Sequence, residues 1–143
     1  MSDFLAAIQA RAVQSNRFAS VERTGDVLRC RAKGPEAWYV VDRQGDSWAI
    51  SLLTPDRWLS ESIEGDMLEG RDTAEDLIDD ELVELNFPGK AQQVKHFRDD
   101  AKMYVFRSRI PVPESAAEDA ATYVLAFEAA FANLGDMQSE GAA

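Results

Sequence analysis

The chain has 143 residues, 45 % of them apolar, which is enough for one compact domain with a real core. Its net charge is −11, and a surface of that sign repels a phosphate backbone, which argues against nucleic acid as a partner. No run of about eighteen apolar residues exists, so a membrane-spanning helix is excluded.

The opening segment "MSDFLAAIQARAVQ" has an acid at position 3 and no long apolar stretch, so it reads as an amphipathic helix and not as a signal peptide. A helix from Asp3 to about Gln14 is expected, with Ser2 as cap and Phe4, Leu5, Ile8 and Ala12 on one stripe. Two hairpins follow, around Thr24-Gly25-Asp26 and Gln44-Gly45-Asp46, where glycine supplies the positive φ of a tight turn. Arg29 and Arg31 alternate with Leu28, Cys30 and Ala32, the pattern of a sheet with one wet face. Trp48, Ile50 and Leu52 alternate with Ser47, Ala49 and Ser51 in the same way.

"TPDRWLSES" reads as a helix start with Thr54 as cap and Pro55 in the first turn, with Trp58, Leu59, Ser62 and Ile63 sharing one side. A second helix is expected after it, capped by Thr73 with Asp76 at the capping-box position and a stripe of Leu77, Ile78, Leu82 and Leu85. A third hairpin, "QQVKHFR-DDA-KMYVFRSRI", ends in the most β-branched and aromatic run of the chain. The last helix is expected from Ser115, with Glu118 completing a capping box, Tyr123, Val124, Phe127, Phe131 and Leu134 as stripe, and Gly135 as stop. The expectation is one α+β domain over 1–135: an antiparallel sheet with an N-terminal helix, an acidic middle helix and a long C-terminal helix. Residues 136–143 are expected to fray.

The excess charge is local. Residues 61–84 carry eleven acids and only Arg71, which is −10 of the net −11. An EF-hand loop needs oxygen ligands at fixed positions around a central glycine, and "DMLEGRDTAEDL" puts Met67 and Leu68 where ligands belong. Asp72, Asp76 and Asp79 or Asp80 can share a helical face, yet any acidic helix shows carboxylates on its wet side. The solvated face is the first reading, a docking surface for a basic partner the second, and a metal site the third. His96 has no second histidine beside it, and Cys30 has no cysteine partner, so neither a zinc set nor an internal disulfide can form. A Cys30–His96 nucleophile pair is conceivable, but no catalytic signature surrounds either residue. No phosphate loop and no dinucleotide or hydrolase motif is present, so no catalytic residue and no cofactor is assigned. A lone thiol fits a reducing cytoplasm. Arg29, Arg31, Lys33, Arg107 and Arg109 are expected on the wet side of the sheet. Trp38, Trp48, Trp58, Tyr104, Phe106, Phe127 and Phe131 are expected mostly in the core, with some left over for an interface.

The segment "MYVFRSRIPVPESAAEDAATYVLAFEAAFANLG", residues 103–135, resembles the end of the class I type III secretion chaperone fold and of its relatives in the YbjN family. There too a last strand runs into a Pro-flanked turn and a long closing helix. The chain departs from that pattern in placing four strands, not three, before the middle helix. What the resemblance implies is binding and not catalysis: a homodimer that holds an extended segment of another protein. It carries over no catalytic residue. The reading is therefore a cytoplasmic, non-enzymatic homodimer that binds a protein partner through Trp38, Trp48, Trp58, Asp76, Asp79 and Asp80. The alternative is a small metal-binding protein or enzyme using the acidic run 64–84.

Overall fold

A computed structural model describes residues 4–138. It shows an α+β fold: helix α1 (Phe4–Ser15), strands β1 (Phe18–Thr24), β2 (Val27–Ala32), β3 (Trp38–Gln44) and β4 (Ser47–Thr54), helices α2 (Arg57–Gly70) and α3 (Ala74–Glu84), strands β5 (Val94–Arg98) and β6 (Tyr104–Arg109), and helix α4 (Ala117–Ala132). The strands make one antiparallel sheet in the order β1-β2-β3-β4-β6-β5. The first four strands follow one another as a meander. The chain then leaves for α2 and α3, and it is the second strand of the returning hairpin that pairs with β4. Gly25 and Gly45 turn the first two hairpins at φ 58° and 63°, a region that other residues enter only with strain.

Strand alternation sorts the side chains into two faces. Leu28, Cys30, Tyr39, Val41, Ile50, Leu52 and Phe106 point to one side, where they join Phe4, Leu5 and Ile8 of α1, Leu59 and Ile63 of α2, Ile78 and Leu82 of α3, and Tyr123, Phe127 and Phe131 of α4 in a single core. Helix α4 packs on both α1 and α3. Rings touch throughout, with Tyr39 edge-on to Phe127 and Phe106 against Phe131. Among the described residues no helix packs on the other face. Its apolar residues Val40, Ala49 and Val105 belong to none of this core, although all three are buried.

Several boundaries differ from the sequence reading, each for a local reason. The cap of α2 is Asp56, not Thr54: its carboxylate accepts from the Trp58 and Leu59 amides, while Thr54 ends β4 and donates to the Glu36 carbonyl. The face of α2 that packs is Leu59, Ser60 and Ile63, and Trp58 is 74 % exposed. The helix then runs through Gly65 without a break. Thr73 and Asp76 form the expected capping box, but Leu85 falls past the end of α3 and is exposed. No side chain caps α4. A 3-10 turn over Glu114–Ala116 takes the place of the expected box at Ser115, and Glu118 pairs with Arg11. The Ser2 cap lies outside the described residues. At the other end the packed chain continues past the boundary expected at 135: Gly135–Gln138 makes a 3-10 turn with Met137 buried, while Gly135 and Asp136 donate to Asp66 and Ser62 of α2.

Candidate functional site

The face without a helix is the most unusual surface of the molecule. Register places Arg29 and Arg31 of β2, Trp38 and Val40 of β3, Ala49, Ser51 and Leu53 of β4, Val105, Arg107 and Arg109 of β6, and Lys95 and Phe97 of β5 on it. The floor is small and apolar, and it is kept dry by long side chains lying flat across it. Arg29 and Arg31 both rest against the Trp38 ring, at 5.7 and 5.1 Å, and Arg107 lies 5.1 Å from the Phe97 centroid. Cation–π contact holds each guanidinium over its ring. Arg107 is steadied further by donating to Ser51 Oγ at 2.9 Å. Beside it a shallow cavity of about 350 Å³ is lined by Lys95, Arg107, Arg109, Gln44 and Gln92.

Five cations therefore share this face with two acids, Glu22 and Asp42. In a chain of net charge −11 that is a strong local reversal. None of the five makes an ion pair among the described residues, where Arg11, Arg17, Arg43 and Arg57 each have a carboxylate partner. The sequence reading placed Arg29, Arg31, Arg107 and Arg109 on the wet side of the sheet, and they are there. Lys33 lies beyond the strand, with Nζ on the Asn16 carbonyl.

The three tryptophans named as partner contacts separate. Trp38 is half-buried at the centre of this face. Trp48 is buried, with its ring tilted against Phe4 and Nε1 donating to Glu114, and it also lines the cavity beside Arg107. Trp58 projects from α2, on the helix side.

The acidic residues resolve into individual jobs. Asp76 closes the cap of α3. Asp79 accepts from the Ala91 amide at 2.7 Å, and Glu75 from the Val94 amide at 2.7 Å. With the Tyr123 hydroxyl accepting from Gln92, these bonds satisfy the backbone donors of Ala91, Gln92 and Val94 in the segment that leads into β5. Asp80 is exposed and, alone of the three named aspartates, accepts no hydrogen bond among the described residues. Among the described residues no group of three or more His, Cys, Asp or Glu side chains is placed to hold a metal ion.

Two arrangements on the helix side look chemical. His96 Nδ1 lies 3.2 Å from Glu64 Oε2, and Nε2 lies 3.0 Å from Ser60 Oγ, with the ring stacked on Phe106. The order of atoms is that of a hydrolase triad. Ser60, however, is 2 % exposed, and it does not line the neighbouring cleft of about 460 Å³ between α2, α3 and β5. A hydroxyl shut under the ring cannot meet a substrate carbonyl, so these bonds fasten α2 to the sheet. Cys30 and His96 face the same side, but three strands separate theirs, which puts them roughly 19 Å apart. The nucleophile pair weighed from sequence is thus ruled out, and burial pushes the Cys30 thiol up to about 12. Nothing local in the sequence announces the Ser60–His96–Glu64 contact, because it joins α2 to a strand about thirty residues further on.

No protein-family model, no curated protein and no solved structure matches the chain. Among the described residues no helix is long and apolar enough to cross a membrane.

Proposed function

We propose that the protein is a non-enzymatic binding module that holds a segment of a protein partner against the helix-free face of its sheet. One observation carries this reading: a dry apolar floor surrounded by five unpaired cations lies on the single face that the fold leaves uncovered. A face needed only for solubility has no reason to order its arginines on aromatic rings. The chaperone-like or regulatory role implied by the resemblance of residues 103–135 agrees with this, and a buried, unreactive thiol agrees with a reducing compartment such as the cytoplasm.

The test compares what the folded protein captures from its native cell with what two variants capture. Trp38→Ala with Phe97→Ala strips the face of the rings that set its arginines, and Trp58→Ala removes the exposed ring on the opposite side. The reading expects the double variant to lose specific partners that wild type and Trp58→Ala retain. Identical capture by all three, with unchanged circular dichroism, overturns it.

A homodimer is a second reading. The surplus of aromatic side chains that suggested it is largely taken up within one core, but Trp58 and Leu68 of α2 remain 74 % and 80 % exposed. Large apolar side chains left in water on one helix favour a second copy there. Sedimentation equilibrium giving a mass near the 15.9 kDa of one chain across the micromolar range removes this reading.

A further inference from the structure

We infer that the occupant of the open sheet face is an acidic extended segment, with carboxylates near its two ends and small apolar residues between. The inference rests on the protein-binding reading above and specifies its ligand. The cations stand at two ends of the face. Arg29 and Arg31 are on β2, and Arg107, Arg109 and Lys95 are on β6 and β5. Between them β3 and β4 offer Val40, Ala49 and Ser51, buried side chains with no charge, with Asp42 at one end of β3 beside Ala49. From β2 to β6 is three strand spacings and to β5 four, about 14–19 Å. An extended chain rises about 3.3 Å per residue, so a segment crossing the strands meets the two clusters with acids about four to six residues apart.

The state of the rings favours carboxylates over nucleic-acid bases. Stacking a base needs a free aromatic face, and guanidiniums already rest on Trp38 and Phe97. The N–H forks of Arg29 and Arg31 make no hydrogen bond among the described residues, and such forks match carboxylates two bonds at a time. A second copy fits poorly. Sheet face on sheet face sets cations against cations. The acidic run of another copy could reach the face, but α2 and α3 lie on the reverse side of the sheet, so that contact is head-to-tail and builds rings or open chains of copies, not a two-fold dimer.

The probe is a labelled peptide of two glutamates, four residues drawn from valine and alanine, and two glutamates. Binding is followed by fluorescence anisotropy. The structure expects saturable binding that weakens about tenfold or more between low and high salt. Arg29→Glu with Arg31→Glu, or Arg107→Glu with Arg109→Glu, each costs about tenfold or more. A peptide with its four glutamates adjacent binds less well than the spaced one. These sites are solvent-facing, so the variants fold, and matched thermal melts check it. The inference is overturned by equal binding of a lysine-for-glutamate peptide, by tighter binding of an oligothymidylate, or by no saturation up to about 1 mM. It is equally overturned if sedimentation shows mass growing with concentration and the Arg107→Glu, Arg109→Glu variant abolishes that growth. If the peptide fails while the Trp38, Phe97 double variant still loses its captured partners, the face binds protein of another chemistry, and only this inference falls.

Discussion

Replacing Asp79 by alanine separates what the acidic run does for the fold from what it does for solubility. Asp79 Oδ1 accepts from the Ala91 amide at 2.7 Å, in a segment whose neighbouring donors are held by Glu75 and the Tyr123 hydroxyl. A hydrogen bond to a charged acceptor is worth about 1.5–3 kcal/mol, and the half-exposed position puts this one at the low end. Alanine returns about 0.5 kcal/mol through better helix propensity. It also relieves repulsion from Asp76, three residues earlier on the helix, by a few tenths of a kcal/mol. The net cost is about 1 kcal/mol. Asp79→Asn keeps an acceptor oxygen and should cost about half of that or less. Asp80→Ala loses no bond and should be neutral or slightly stabilising. The triple Asn variant at 76, 79 and 80 therefore folds, whereas Ile78→Ala or Leu82→Ala, which open the core beneath the same helix, should cost about 2–5 kcal/mol. Urea midpoints at matched m-values give the ranking, and amide exchange at Ala91 should accelerate in Asp79→Ala alone. Asp80→Ala costing as much as Asp79→Ala would refute the claim that individual backbone donors, and not overall charge, explain these carboxylates.

Three further outcomes follow from other contacts. Gly135→Ala should destabilise by about 2 kcal/mol or more in thermal or urea unfolding, because φ is +49° and a Cβ there would meet the Ser62 backbone at 2.6 Å. Tyr39→Phe should leave stability unchanged or raise it by about 1 kcal/mol, since the buried Tyr39 hydroxyl has no hydrogen-bond partner among the described residues and removing it ends a desolvation cost. Burial raises the Glu128 carboxyl above its ordinary value of 4.5, with Arg17 at 3.1 Å opposing the shift. The folded state thus holds that proton more tightly than the unfolded one. The resulting stability is complete below the ordinary value and is lost as pH rises through the raised one. The stability of wild type relative to Glu128→Gln should accordingly fall as urea titrations move upward from pH 4, and a rise instead would mean that Arg17 outweighs burial.

Periodicity made most elements legible. The Arg29 and Arg31 alternation marks a strand with one wet face, the Tyr123, Phe127 and Phe131 stripe marks the closing helix, and both stand where they were expected. Helix starts were harder, because cap signals compete. Thr54 was read as the cap of α2, but it ends β4 and bonds the Glu36 carbonyl, and Asp56 caps the helix instead. Trp58 was expected on the packed stripe and is exposed. Ser115 lost its cap to a 3-10 turn. The candidate site was half legible. The cations could be placed on one side of each strand, but their convergence depends on β6 inserting between β4 and β5, which no local pattern encodes. The acidic run drew attention for its charge, yet its best-defined members serve backbone donors in a segment that is adjacent only in space.

The three tryptophans test the central claim directly, since one lies on the open face, one in the core and one on α2. Their indole N–H signals in a nitrogen-15 correlation spectrum are resolved reporters of those places once assigned by single Trp→Phe variants. On titration with the spaced glutamate peptide the account predicts that the Trp38 signal moves to saturation together with the Arg29, Arg31 and Arg107 side-chain signals, while Trp58 stays still. A shift of Trp58 with Trp38 unmoved would contradict it and place binding on the helix side of the molecule.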